Sequence, residues 1–107
     1  MTPSSHLPVT EVLGQEFEAD LDQICRLCGL ETQELLAWIR EGIAEPHGQE
    51  PAQWRFSTRQ VRRVRVARRL QRDLELDPQV LPMVLDLLEE LEQLRHRVRV
   101  LERVLED

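Results

Sequence analysis

A chain of 107 residues with 41% apolar side chains can build one compact domain and one extended element, and is too rich in core-forming residues to stay disordered throughout. Its net charge of -6 hides blocks: ten acids against Arg26 and Arg40 from Glu11 to Glu50, eight arginines and no acid from Arg55 to Arg72, then seven acids and no base from Asp73 to Leu94. Two acidic blocks around one basic block argue against a general affinity for phosphate backbone, and no apolar run is long enough to span a bilayer.

Residues 1–19, with Pro3, Pro8 and Gly14, read as a loose N-terminal arm with at most a short extended piece. Its start, Met1-Thr2-Pro3-Ser4-Ser5-His6, lacks the charged opening of a secretory leader, so the cytoplasm is the expected compartment. Asp20 is placed to cap a short helix, with Gln23 at the reciprocal position of a capping box. Leu21, Ile24, Cys25 and Cys28 give that helix an apolar stripe, and Gly29 ends it. A second helix starts near Thr32, buries Leu35, Leu36, Trp38 and Ile39, and stops at Gly42. Two short helices joined through Cys28-Gly29-Leu30 have the length and turn chemistry of a helix-turn-helix.

A Gly/Pro-containing loop through Pro51 then leads to Gln53-Trp54-Arg55-Phe56, whose alternating large apolar residues suit the strand of a small wing. Ser57 caps a third helix, with Gln60 three positions on; Val61, Val64, Ala67, Leu70 and Leu74 line one side and arginines the others. Asp77-Pro78 opens a last helix, because proline is well tolerated in the first turn, and nothing after Gln79 interrupts it. Residues 20–77 therefore form a head, and residues 78–107 a terminal helix.

That terminal helix repeats Val84, Leu87, Leu91, Leu94, Val98, Leu101 and Leu105 at alternating spacings of three and four, the pattern of a coiled-coil seam. With Val84 at position a, a parallel pair sets Glu90 against Arg95 and Arg97 against Glu102. An antiparallel pair uses the same seam. Self-association as a homodimer is expected, with packing of the first half on the head as the alternative use of these residues.

Catalysis is not expected. Cys25 and Cys28 form a C-x-x-C, but a zinc site needs about four ligands, and His6, His47 and His96 are scattered. A redox pair belongs at an exposed helix start, whereas these cysteines lie on or beside an apolar helix face, as buried structural residues do. The sequence has no Gly-rich phosphate loop, no nucleophile with a plausible base and no pocket-forming carboxylates, so no metal and no cofactor is expected. DNA reading through the second helix would require cationic or amide side chains there, but Glu31, Glu34 and Glu41 stand against a lone Arg40. Each carboxylate facing a phosphate groove would repel it by about 1 kcal/mol at near-surface dielectric.

The frame of helix-turn-helix, Gly42-Ile43 and Pro46, wing strand, third helix and long last helix resembles the MerR-type regulators. Their wing usually carries Arg-x-Tyr, where this chain has Trp54-Arg55-Phe56-Ser57. The chain is more similar to the CbpM family of chaperone modulators. The resemblance rests on Ile24-Cys25, Gly29-Leu30-Glu31, Gly42-Ile43-Ala44-Glu45-Pro46, Trp54-Arg55-Phe56, Arg68-Arg69-Leu70 and Leu76-Asp77, in order, over roughly residues 20–105. It implies a mainly α fold: a MerR-like winged helix-turn-helix head with a long C-terminal heptad helix. It also implies an adaptor that binds the J-domain of a CbpA-type, DnaJ-like co-chaperone and blocks its productive engagement with DnaK. J-domains present a basic helix, so the expected contact is the acidic side made by Glu31, Glu34, Glu41 and Glu45, with exposed parts of Trp54 or Phe56. Asp73, Glu75 and Asp77 form a second acidic candidate. The other reading is a MerR-like DNA-binding transcriptional regulator; a third is a coiled-coil scaffold capped by the head.

Overall fold

The computed structural model describes residues 17–106. Its elements run β1 (Glu18–Ala19), α1 (Leu21–Cys28), α2 (Thr32–Arg40), a 3-10 turn (Pro51–Gln53), β2 (Phe56–Ser57), α3 (Thr58–Leu74) and α4 (Leu81–Glu106). Helices dominate. The single small sheet pairs β1 with β2 antiparallel, Glu18 opposite Ser57 and Ala19 opposite Phe56.

Local chemistry explains most boundaries. Asp20 accepts from the Gln23 amide at 2.8 Å while the Gln23 side chain accepts from the Asp20 amide at 2.9 Å, which closes the expected capping box at the start of α1. Gly29 takes a left-handed conformation at φ 69° and Gly42 at φ 83°, so both helices of the helix-turn-helix end where a residue without Cβ can reverse the chain. Helix α2 carries a capping box absent from the sequence reading, in which Glu31 and Glu34 cap each other's backbone.

The core gathers Ile24, Cys25 and Cys28 from α1, Leu35 and Trp38 from α2, Ile43 and Ala44 from the exit loop, and Phe56 from β2. Val61, Val64 and Ala67 of α3 and Leu81 and Leu85 of α4 complete it. Thr58 fastens the start of α3 to the incoming chain: its hydroxyl accepts from the Phe17 amide at 2.8 Å. The wing is slight, since only His47 and Arg55 pair across it beyond β2.

The short extended piece allowed in the arm is β1, residues 18–19, which β2 pairs with; residues 1–16 of the arm lie outside the described residues. Two expectations change. Leu74 is exposed, because it closes the last turn of α3 beyond the reach of the core. The terminal helix begins at Leu81, after a turn over residues 78–80 in which the Val80 amide donates to the Asp77 carbonyl. Pro82 accounts for that start: without an amide hydrogen it suits the first helical turn, where no intrahelical partner is needed.

Candidate functional site

The acidic residues proposed as a contact surface occupy the two ends of α2 rather than one continuous side. Glu31 precedes the helix as its N-cap and Glu41 follows it as its C-cap, so Glu34 alone lies within it. Glu31, Glu41 and Glu45 are exposed. Glu34 is half-buried and already engaged: one carboxylate oxygen accepts from the Glu31 amide at 3.2 Å, and the other pairs with Arg68 of α3 at 3.3 Å. The two aromatic candidates separate as well. Phe56 is fully buried in the core, which removes it from any contact surface, because its alternating partner Arg55 is the one that faces out. Trp54 packs against the core with part of its ring exposed.

The structure brings Glu41 and Glu45 to a corner where the α2 exit loop meets α3 and the start of α4. The loop is pinned there by Gln60, whose side-chain oxygen accepts from the Glu45 amide at 2.9 Å. Glu45, Asp86 and Pro82 border a polar recess of about 290 Å³ floored by Arg59 and Arg63. The second acidic candidate, Asp73, Glu75 and Asp77, sits at the elbow between α3 and α4; all three are exposed, and Glu75 adopts a left-handed conformation at φ 53°.

The arginines of α3 are spent largely on this chain's own acids. Arg63 pairs with Asp86 at 2.8 Å and Glu89 at 3.0 Å, Arg59 with Glu89 at 2.9 Å, and Arg68 with Glu34. The Glu89 carboxylate, by hydrogen bond and charge, holds the Arg59 guanidinium above its ordinary value. Asp86 and Glu89 were not singled out from the sequence. The signal was present: arginines four apart on one helix and acids three apart on another, each pair on one helical face.

Cys25 and Cys28 are free and buried. Burial pushes the Cys28 thiol up to about 12, and its Sγ donates to the Val61 carbonyl at 3.8 Å. Burial also raises Cys25, partly offset by a hydrogen bond with Thr32. Such thiols pack as small apolar groups and stay protonated at neutral pH. Among the described residues no group of three or more His, Cys, Asp or Glu is placed to hold a metal ion, and no helix is long and apolar enough to cross a membrane.

The seam residues of α4 lie open. Leu87, Leu91, Leu94, Val98, Leu101 and Leu105 are all exposed and Val84 is half-buried. Beside them, a cleft of about 570 Å³ runs between α3 and α4, with Val66, Leu85, Leu88 and Leu91 among its lining. A family model described as MerR HTH family regulatory protein matches residues 19–103. No curated protein matches the chain.

Proposed function

The chain belongs to the MerR HTH family of regulatory proteins, and we propose that it regulates by binding a protein: the basic helix of a J-domain in a CbpA-type co-chaperone. The bound J-domain is withheld from DnaK, without turnover and without a cofactor. The observation that carries this reading is electrostatic. The helix that would enter a DNA groove is bracketed by Glu31, Glu41 and Glu45, while Arg59, Arg63 and Arg68 of the basic helix are paired with Glu89, Asp86 and Glu34 of the same chain. Cations that are already neutralised contribute little to counterion release, and exposed carboxylates disfavour phosphate. The same carboxylates complement a basic helix.

The test reverses exposed charges that hold nothing in place. Glu41→Arg with Glu45→Arg, titrated against the J-domain of the cognate co-chaperone, is expected to weaken binding at least tenfold with the melting temperature unchanged. Unaltered affinity removes this surface. Glu34 is the wrong residue to reverse, because its carboxylate braces α2 against Arg68.

The exposed heptad seam supports self-association through α4 as a homodimer, the arrangement that would hide these side chains from water. The second reading, a DNA-binding transcriptional regulator, is favoured by family membership. The two diverge in salt dependence: a regulator shifts an operator fragment with a steep loss of affinity as salt rises, and the adaptor ignores DNA at physiological salt.

A further inference from the structure

Arg63 of α3 bridges the α2 exit loop and α4. It leaves α3 with only 9% of its side chain exposed and reaches two other elements. Its Nε donates to the Ile43 carbonyl at 2.7 Å, and Nη2 donates to the Gly42 carbonyl at 3.4 Å, both in the α2 exit loop. Its Nη1 donates to Asp86 and Glu89 on α4. The loop it holds is the one that carries Glu41 and Glu45. Of the carboxylates it holds, Asp86 adjoins the apolar anchor Leu85 and Glu89 lies one turn beyond it along α4.

From this geometry we infer that Arg63 is a positioning residue coupling the seating of the terminal helix to the shape of the acidic corner at Glu41–Glu45. A guanidinium presents its donors in a fixed planar fork, so the acceptors on the loop and on α4 cannot move independently while both are engaged. The loop has a hinge of its own at Gly42, whose positive φ turns the chain; this contact acts there beside the Gly42-to-Ile39 and Ile43-to-Trp38 backbone hydrogen bonds and the Gln60 bond to the Glu45 amide. Whatever binds along α4 and shifts its base therefore changes how the corner presents its carboxylates. That the corner is a partner surface rests on the proposed function; the mechanical coupling does not.

The experiment is amide hydrogen exchange on the full chain, which needs no partner. The variants are Asp86→Asn with Glu89→Gln, Arg63→Lys, and the three changes combined. Removing the α4 carboxylates is expected to speed exchange at the Ile43 and Glu45 amides at least tenfold, while Ile24 in α1 keeps its protection. Lysine lacks the fork, so Arg63→Lys is expected to produce the same local loosening, and the combined variant no more than either alone. Exchange at the corner that does not respond to the α4 variant overturns the inference. So do additive effects in the combined variant, or acceleration spread evenly over α1, because both indicate a merely structural arginine. If exchange behaves as expected and charge reversal at Glu41 and Glu45 leaves J-domain affinity intact, the coupling stands and the partner assignment alone falls.

Discussion

From Leu81 to Leu94 the terminal helix leans on the head; from Arg95 to Glu106 every side chain of it is exposed. The two stretches share one heptad pattern and differ in everything around it. Leu81 and Leu85, off the seam, are 0% and 2% exposed against α3, whereas Leu101 and Leu105, on the seam, are 61% and 84% exposed. The first stretch carries four acids and no base; the second carries four arginines and two glutamates. Periodicity alone therefore reports that a helix has two apolar faces to satisfy, and the position of the head decides which of them is satisfied within one chain.

The largest effect expected from this contrast is on stability. Leu85→Ala opens a cavity in a packed core and should lower the free energy of unfolding by about 2–4 kcal/mol. At concentrations low enough to keep the chain monomeric, Leu101→Ala, which touches nothing in the head, should change it by less than about 0.5 kcal/mol. Denaturant titration followed by the fluorescence of Trp38 and Trp54, both packed in the head, separates the two. In light scattering at tens of micromolar the order reverses: Leu94→Asp with Leu101→Asp is expected to give a monomer with an intact head. Equal stability losses at Leu85 and Leu101 would mean that the distal half also folds back on the head.

The unequal charge of the two stretches bears on strand direction. A parallel pair sets four acids beside four acids, although Glu90 can still meet Arg95 of the partner subunit. An antiparallel pair sets the acidic stretch beside the basic one, and with Leu91 opposite the partner's Leu94 it also sets Glu90 near the partner's Arg97. In that register Met83, 63% exposed, meets the partner's Val104, which in its own chain is 65% exposed. Antiparallel pairing is the expected result. Spin labels at residue 103 should then lie about 30 Å apart along the helices, from a rise of about 1.5 Å per residue. A parallel pair would bring them to within about 15 Å, close to the spacing of neighbouring helices.

Much of the head is legible in the residues, and the reasons for the failures are specific. Asp20 with Gln23, Gly29 and Gly42 act over three or four residues of backbone, so their effects can be read locally. Pro78 and Pro82 are equally good first-turn residues in isolation; the burial of Leu81 against α3, a tertiary event, brings the register to Pro82. Glu34 stands among other acids in the sequence, and its pairing with Arg68, 34 residues further on, has no local signal. Trp54 and Phe56 fall on one side of an extended segment with Arg55 on the other, and only the packing of β2 on β1 determines that Phe56 is fully buried while Trp54 stays partly exposed. The ion-pair cluster on Arg63 joins elements more than twenty residues apart, beyond any local pattern.

A smaller effect distinguishes the head from the distal helix by pH. Cys28 is held at about 12 in the fold against an ordinary thiol value of 9.0, because burial penalises the thiolate. The folded chain therefore keeps its proton where the unfolded chain loses it. The contribution is complete below about pH 9 and is lost as pH rises from there towards 12, at up to about 1.4 kcal/mol per pH unit. Denaturant midpoints of the wild type should fall between pH 8.5 and 10.5, and Cys28→Ala should flatten that slope while lowering stability at pH 7. Self-association should hardly respond over the same interval, since the seam is aliphatic.

The smallest expected effect concerns an ion pair that joins α4 to an exposed arginine. Arg59 reaches Glu89 at 2.9 Å, but its side chain is 71% exposed, and solvent screens such pairs. Arg59→Gln should therefore cost less than about 0.5 kcal/mol, and the cost should vanish in 0.5 M salt. Arg63 shares the same glutamate from a position 9% exposed, where screening is weak and the guanidinium also serves two loop carbonyls. Arg63→Gln leaves the two loop carbonyls without their donor and takes from the half-buried Glu89 the more buried of its two arginines, so its cost should be several times larger and persist in salt. Matched salt titrations of the two variants check the difference. Similar costs would mean that Glu89, rather than the arginine's burial, sets how firmly the first half of α4 is held to the head.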